Sequence, residues 1–194
     1  MASTIYADLT TRRWRRAEYD RLVEMGMFIG ERLELLGGLL VVGEPQGSSH
    51  AAIVMHIGQV LSRAFGIGWH ARLQAPLALD DDSEPEPDVA IVPGVPLDYT
   101  AAHPSTAALI VEVADSSLRL DRRFKAELYA RAGLAEYWIV NLVDGVLEVH
   151  REPQPVTGGV ARALYRSVGV VRPPATVTPL AAPAAMIPVA DLLP

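Results

Sequence analysis

The stretch that decides the fold is "ALIVEVADSSLRLDRRFKAELYARAGLAEYWIVN", residues 108–141. It opens and closes with short apolar runs, which are typical of strands buried on both faces of a sheet. Between them, Phe124 and Leu128 are four residues apart and Gly133 is a stop signal, which predicts a helix that Asp121 can cap. The stretch therefore predicts a strand, a helix and a second strand.

The second apolar run continues into a predicted hairpin. In "EYWIVNLVDGVLEVHRE", residues 136–152, two β-rich runs flank the turn signal Asp144–Gly145. Its apolar residues Tyr137, Trp138 and Ile139 can support a homodimer. From residue 153 onward Pro, Ala and Gly dominate, and this segment holds either one strand near residues 163–168 or loop.

Upstream of the deciding stretch, further elements follow from periodicity and turn residues. The predicted elements are a helix in 15–26 ending at Gly26, a turn or short helix in 31–36, a strand at 39–42, a helix in 47–66 capped by Ser48 or Ser49, and a strand at 88–92. This order predicts a mixed α/β (α+β) layer structure rather than a regular βαβ repeat. We expect a flexible basic arm at residues 1–16, which contains "RRWRR", and one domain at 17–194 with a Pro/Ala-rich C-terminal segment.

Composition narrows the function classes. The chain has 194 residues, of which half are hydrophobic, so it can form a sizeable core. It contains no cysteine, which excludes disulfides and thiolate chemistry and favours a cytoplasmic location. No apolar run reaches the roughly 18 residues of a membrane span, so no membrane partner is expected. A net charge of -6 argues against broad binding to nucleic acid, although a nuclease with a local acidic metal site remains compatible with it.

Two acidic residues stand where strands are predicted. Asp88 opens one strand, and Glu112 lies inside the run from 109 to 114. Because side chains alternate along a strand, Glu112 shares a face with residues 110 and 114, and a buried glutamate must be paired or bound to a metal. Alternatively, Glu112 lies on an edge strand or pairs with Arg122 or Arg123. The acids at 80–84 are expected to form a solvated turn.

A lysine can join these acids. Asp121, Lys125 and Tyr129 are spaced four residues apart and form one stripe on the predicted helix. Two carboxylates from adjacent strands suit Mg²⁺ or Mn²⁺, and a nearby lysine can orient water or stabilise charge on a phosphoryl group. The pattern therefore indicates metal-assisted phosphodiester hydrolysis. His50 can contact an anion or an acid, and His56 is expected to be structural.

The ordered set of these motifs resembles the PD-(D/E)xK restriction-endonuclease-like superfamily, and within it the Uma-type family of endonucleases. The resemblance covers about residues 17–152 and, more loosely, the C-terminal segment that follows. The matching positions are Glu34, His50, Pro87–Asp88, Glu112–Val113, Asp121, Lys125, Tyr129 and Glu136–Tyr137–Trp138. The resemblance implies a mixed central sheet flanked by helices.

The resemblance also implies roles for individual residues. Asp88 and Glu112 would bind Mg²⁺ or Mn²⁺ together with the Val113 carbonyl, Lys125 would position water or the phosphate, and Glu34 would act from the opposite side. The superfamily's usual lysine position is occupied by Ala114, and Lys125 on the helix takes its place. Two further departures are Asp115, where a serine is common, and Gly37, where an aspartate is common.

Three functions compete. The first is a metal-dependent DNA endonuclease, which the joint presence of Asp88, Glu112 and Lys125 favours. The second is a catalytically silent interaction module on a nuclease scaffold, favoured by the net charge. The third, a hydrolase of another substrate, ranks last because no G-x-S-x-G, H-E-x-x-H or phosphate-loop motif is present.

Overall fold

The computed structural model describes residues 12–43, 46–156 and 162–194. Its helices are α1 (Arg16–Glu24), α2 (Ser48–Phe65), α3 (Leu118–Leu120) and α4 (Ala126–Arg131). Its strands are β1 (Leu33–Leu36), β2 (Leu39–Val42), β3 (Trp69–Leu73), β4 (Val89–Pro93), β5 (Leu109–Ala114), β6 (Glu136–Asn141), β7 (Val146–Val156), β8 (Arg162–Val171), β9 (Thr176–Val177) and β10 (Ile187–Pro188). A π-helical turn, Asp121–Lys125, joins α3 to α4, and we call residues 118–131 the composite helix.

Six strands form the central sheet in the order β3-β4-β5-β6-β7-β8. The β5–β6 pair is parallel and the other four pairs are antiparallel, so the sheet is mixed, as predicted. The composite helix connects β5 to β6, which confirms the predicted strand, helix and strand. The hairpin at Asp144–Gly145 is also confirmed, because Asn141 pairs with Val146 across it.

Helices cover both faces of the sheet, and the side chains of β5 alternate between these two faces as its sequence predicts. Leu109, Val111 and Val113 pack against α2 through its apolar residues Ile57 and Leu61. The other face, which includes Ile110 and Ala114, packs against Leu128 and Tyr129 of the composite helix. Glu112 alternates with its neighbours in the same way as Ile110 and Ala114, so its side chain is directed to this second face.

The predicted turn or short helix at residues 31–36 is wrong, because Leu33–Leu36 forms β1 and pairs with β2. Leucine and glutamate favour helices locally, but tertiary pairing overrides that propensity. Gly37 and Gly38 have φ values of 57° and 78°, the left-handed conformation that a two-residue hairpin turn requires. This hairpin places Glu34 on a strand instead of on the predicted turn or short helix.

Two predicted helix caps are also wrong. The α2 helix begins after Gly47, and neither Ser48 nor Ser49 provides a side-chain cap. The helix that was predicted to begin at Asp121 begins three residues earlier, after Ser117. Asp121 is instead an interior, buried residue that accepts a hydrogen bond of 2.5 Å from the Ser117 hydroxyl.

The two ends of the chain are packed where the structure describes them. Residues 1–11 of the predicted arm lie outside the described residues. The Trp14 N–H donates to the Gly38 carbonyl (2.9 Å), and the Arg16 N–H donates to the Asp81 carbonyl (2.7 Å). At the other end, the strand predicted near residues 163–168 is present as the longer β8, paired with β7.

Two expectations about surfaces change. Tyr137, Trp138 and Ile139 are fully buried in the central strand β6, so the prediction that they support a dimer is wrong. The predicted solvated turn at 80–84 is wrong in part, because Ser83 and Glu84 are buried. No helix among the described residues has both the length and the hydropathy needed to cross a membrane.

Candidate functional site

A cavity of about 590 Å³ opens on the second face of the sheet. Its walls are the β1–β2 hairpin, the start of α2 and the first half of the composite helix. Most of the predicted site residues line it, namely Glu34, His50, Asp88, Glu112, Val113, Asp115, Asp121 and Lys125. Residues from five separate elements therefore meet at one place.

Asp88 is held at the mouth of β4 by hydrogen bonds to both of its carboxylate oxygens. Oδ2 accepts from the Val113 N–H (2.8 Å), and Oδ1 interacts with the His50 Nε2 (3.2 Å) and accepts from the Gln74 amide (3.2 Å). Burial raises the pKa of Asp88, but the hydrogen bonds from His50 and Val113 outweigh burial and lower that pKa below its ordinary value. Asp88 is therefore ionised and fixed in orientation.

Glu112 lies on central strand β5 and is a buried acid of the cavity. Its Oε1 accepts hydrogen bonds from Lys125 Nζ (2.9 Å) and from the Tyr129 hydroxyl (2.7 Å). Burial raises the pKa of Glu112 above its ordinary value, and Lys125 opposes that change. The edge-strand alternative is excluded because β5 lies between β4 and β6. The pairing with Arg122 or Arg123 is excluded because the cation paired with Glu112 is Lys125, while Arg122 pairs with Glu148 (2.6 Å).

Lys125 is a buried cation between two acids. Its Nζ lies 3.7 Å from the Glu34 carboxylate, opposite Glu112. Burial lowers the pKa of Lys125, but the charges of Glu112, Glu34 and Asp121 raise it above its ordinary value. The ammonium is therefore charged and points into the cavity from the composite helix. Glu34 is fixed in turn by the Glu86 N–H, which donates to its Oε2 (3.0 Å).

The remaining predicted residues have different places. Asp121 lines the cavity, and burial raises its pKa above the ordinary value. Asp115 is exposed at the rim. The pKa of His50 is raised by its hydrogen bond to Asp88 against the effect of burial, and Asp115 adds to the increase. His56 lies outside the cavity, where its Nε2 contacts the Asp191 carbonyl (3.0 Å).

The oxygen atoms present fit a hard divalent cation. Within the described ranges, no group of three or more His, Asp or Glu side chains is arranged to hold a metal. Mg²⁺, however, commonly uses one or two carboxylates and keeps several waters. Asp88 Oδ2 accepts one hydrogen bond, from the Val113 N–H, and Glu112 Oε2 accepts one, from the Asp88 N–H at 3.4 Å. Each of these two oxygens therefore retains a lone pair for a cation.

The Val113 carbonyl is a suitable third oxygen. The β4–β5 register pairs Val89 with Val111, and its continuation places Pro87 opposite Val113. Proline has no N–H to donate to that carbonyl. Because the N–H and C=O of an extended residue point to the same side, the Val113 carbonyl faces the same direction as its N–H, which contacts Asp88.

Sequence reasoning missed two glutamines that contact Asp88. Gln74 lies just after β3, and Gln46 lies just before α2. Their amides hydrogen bond to each other, and Gln46 also reaches Asp88 Oδ1 at 3.4 Å. No local pattern identifies them, because only the tertiary fold brings these loops together. A weak signal was available for Gln74, which is a polar residue at the end of a strand-like run.

The family model and the solved structure that match this chain both describe putative nucleases. A family model described as "Uma2: Putative restriction endonuclease" matches residues 16–189. The crystal structure of a putative nuclease belonging to DUF820 from Anabaena variabilis ATCC 29413 is similar, with a TM-score of 0.62 and 18% sequence identity. The match covers 84% of this chain and 89% of that one, and it shows the fold. No curated protein matches this chain. The predicted fold class and the resemblance to the Uma-type family are both confirmed.

Proposed function

This chain belongs to the Uma2 family of putative restriction endonucleases, and from this premise we propose that it is a metal-dependent DNA endonuclease that hydrolyses phosphodiester bonds. One observation carries the proposal. A buried glutamate on a central strand, Glu112, lies beside ionised Asp88 and is hydrogen bonded to buried Lys125 at the base of an open cavity.

The proposed metal ligands are Asp88, Glu112 and the Val113 carbonyl. When bound, Mg²⁺ or Mn²⁺ would lower the pKa of a water molecule and neutralise charge on the phosphate. His50 and Gln74 hold the Asp88 carboxylate in place through Oδ1. Tyr129 and Lys125 hold Glu112 through Oε1, which leaves Oε2 available for the cation.

Lys125 has a second proposed role. Its charged ammonium lies between Glu112 and Glu34 and has a third N–H that neither contact requires. This N–H can position a water molecule or stabilise negative charge that develops on a phosphate oxygen. Glu34, on the opposite wall, keeps the ammonium oriented and charged.

The charge of the cavity supports a requirement for metal. Six carboxylates line it, and they face Arg32, Lys125 and His50. The six acids are Glu34, Glu86, Asp88, Glu112, Asp115 and Asp121. A phosphodiester entering this cavity without a cation would meet net negative charge, so binding of a divalent metal makes the cavity compatible with nucleic acid.

The test is cleavage of plasmid DNA by the purified protein in Mg²⁺ or Mn²⁺. We expect nicking or linearisation by the wild type, and loss of cleavage in Asp88→Ala and Glu112→Ala. The matched control is Asp191→Ala, which removes a carboxylate far along the chain and outside the cavity. Equal cleavage by the wild type and both cavity variants would indicate a contaminating nuclease and refute the proposal.

A second measurement separates the enzyme from a silent interaction module. Calorimetric titration of the wild type with Mn²⁺ should give one saturable site that is lost in Asp88→Ala. A wild type that binds no Mn²⁺ and cuts no DNA would favour the silent module.

A further inference from the structure

A second cavity, of about 380 Å³, lies on the other side of the composite helix. It is enclosed by this helix and by β7 and β8. Three arginines line it, Arg122, Arg123 and Arg162, together with a single carboxylate, Glu127. This composition is the reverse of the candidate active site, where acids outnumber cations.

Two of the arginines are held in place by carboxylates. Arg122 donates to Glu148 through Nε (3.0 Å) and Nη2 (2.6 Å), and its Nη2 also lies 3.5 Å from the Asp144 carboxylate. Arg162 donates to Glu127 through Nη2 (3.1 Å). These contacts leave Nη1 of each guanidinium available, because a guanidinium has five N–H donors. The arginines are thus oriented but not saturated.

The third arginine, Arg123, is not held by a carboxylate. Arg123 is exposed, and no described carboxylate lies within ion-pair distance of it. Among the described residues, Arg123 is therefore the arginine of this cavity whose charge no contacting carboxylate offsets.

A buried histidine completes the lining. His150 is 5% exposed, and its ring packs against Tyr137 (5.3 Å) and Tyr165 (5.8 Å). Its Nε2 is buried and has no hydrogen-bond partner among the described residues. Buried polar atoms are rarely left without a partner. This nitrogen lies 3.9 Å from the Glu148 carboxylate, too far for a hydrogen bond, so its hydrogen-bonding capacity is still unused.

We propose that this second cavity is a phosphate-binding site, in which Arg123 and the free Nη1 groups of Arg122 and Arg162 contact the phosphate. Guanidinium groups match phosphate geometry, and the three that line this cavity have N–H donors that carboxylate partners do not use. His150 can add a hydrogen bond without breaking one. The phosphate belongs either to the nucleic-acid substrate or to a free phosphate ligand.

The geometry of the composite helix favours the substrate as the source. Asp121 and Lys125 line the candidate active site, while Arg122, Arg123 and Glu127 line the second cavity. An α-helix with its side chains is about 10 Å across, so a nucleic acid strand that crosses this helix can place the phosphates of different, non-adjacent nucleotides in the two cavities. This part of the inference rests on the proposed function.

The first experimental arm needs neither metal nor cleavage. The melting temperature of the full chain is measured with increasing inorganic phosphate in a chelator, at constant ionic strength. Phosphate should raise it in the wild type and in Arg119→Gln, but not in Arg123→Gln. Arg119 is the matched control because it is an exposed arginine one turn away on the same helix, outside the cavity. No stabilisation of the wild type, or an equal response of the two variants, would overturn the proposal.

The second arm identifies the source of the phosphate. Binding of a short oligonucleotide is measured by fluorescence anisotropy across a range of salt concentrations. If the phosphate is that of nucleic acid, Arg123→Gln should weaken binding about five- to tenfold and lower the salt slope by about 1, whereas Arg119→Gln should not. An unchanged slope combined with lost phosphate stabilisation would assign the cavity to a free phosphate.

A second variant tests whether His150 contributes to phosphate binding. The first experimental arm also separates the phosphate-site proposal from the proposed nuclease function. His150→Phe keeps an aromatic ring against Tyr137 and Tyr165 but removes both nitrogens, so it should reduce stabilisation by phosphate. A full response in this variant would remove His150 from the site. If DNA cleavage fails while phosphate stabilisation depends on Arg123, the proposed function fails and the phosphate site stands.

Discussion

Glu112 and Glu136 are two buried glutamates on neighbouring strands of one sheet, yet their surroundings differ. Glu136 is fully enclosed and accepts hydrogen bonds from Trp138 Nε1 (2.9 Å), Arg151 Nε (2.8 Å) and the Leu180 N–H (2.7 Å). Glu112 borders an open cavity and keeps one oxygen that accepts only a contact of 3.4 Å.

This difference teaches how a structural acid is told from a candidate catalytic one. Both acids lie in apolar strands and both have a cationic partner, so burial and pairing do not separate them. Glu136 uses its oxygens to connect β6 to β7 and to the C-terminal segment, where Arg151 also donates to the Thr178 carbonyl (2.6 Å). Glu112 has unused acceptor capacity that faces a cavity, next to a second acid. A carboxylate oxygen with unused acceptor capacity that faces an open cavity therefore distinguishes the candidate catalytic acid from the structural one.

The largest expected effect is on the rate of DNA cleavage, which should depend on Glu112 and not on Glu136. Glu112→Gln should reduce DNA cleavage by about 100- to 1,000-fold, because it weakens the proposed metal site. Glu136→Gln should leave the cleavage rate per folded molecule nearly unchanged, since Glu136 lies outside the cavity. The measurement is the initial rate of plasmid nicking in Mn²⁺, normalised to the folded fraction. Comparable losses in both variants would show that the comparison is wrong.

The second prediction reverses the order and concerns stability. Glu136→Gln should lower the free energy of unfolding by about 2 to 3 kcal/mol, because Arg151 loses its ionic partner in a closed network. Glu112→Gln should cost less, because Glu34 still faces Lys125 and the cavity admits water. Chemical denaturation of both variants tests this. A larger loss in Glu112→Gln would mean that Glu112 is the more important structural residue.

A third buried glutamate extends the comparison to pH. Glu84 has Asp20 as a neighbour and a weakly placed cation, Arg16, at 4.0 Å. Burial, and then the charge of Asp20, raise the pKa of Glu84 to about 7. Since its folded pKa lies above its unfolded pKa, its contribution to stability is full below the unfolded value and is lost as pH rises toward 7.

Glu84→Gln should therefore remove part of the pH dependence of stability. Relative to the wild type, we expect this variant to gain about 1 to 2 kcal/mol between pH 5 and pH 8. The free energy of unfolding is measured by denaturation at several pH values. Asp20→Asn is the control, because it should shift the wild-type transition to lower pH without abolishing it. Parallel pH profiles for the wild type and Glu84→Gln would contradict the prediction.

The parts of this molecule that were predictable are those with a local signal. The alternation of residues 109–114 indicates which side chains of β5 share a face, and it places Glu112 on the face of the composite helix. The four-residue spacing of Asp121, Lys125 and Tyr129 likewise predicts their common stripe. Both signals depend only on the periods of strands and helices.

The parts that were not predictable depend on contacts between distant segments. Residues 33–36 have helical propensity, and only pairing with β2 makes them a strand. Gln46 and Gln74 meet Asp88 from separate loops, and Ser83 and Glu84 are buried because α1, β1 and Arg131 pack around them. Tyr137 and Trp138 form an apolar run that has the same sequence pattern in a buried central strand as in an exposed hairpin.

The smallest expected effect concerns Tyr129, which positions Glu112 rather than contacting substrate. Tyr129→Phe removes the hydroxyl that donates to Glu112 Oε1 (2.7 Å), and Lys125 keeps its own contact with the same oxygen. We expect a loss of about 1 kcal/mol in stability and a modest loss of Mn²⁺ affinity. Tyr165→Phe is the matched control, because its buried hydroxyl donates to the Leu134 carbonyl (2.9 Å). The two variants should lose similar stability, but only Tyr129→Phe should weaken Mn²⁺ binding in calorimetry. Equal Mn²⁺ affinities would mean that Glu112, like Glu136, is held for the fold alone.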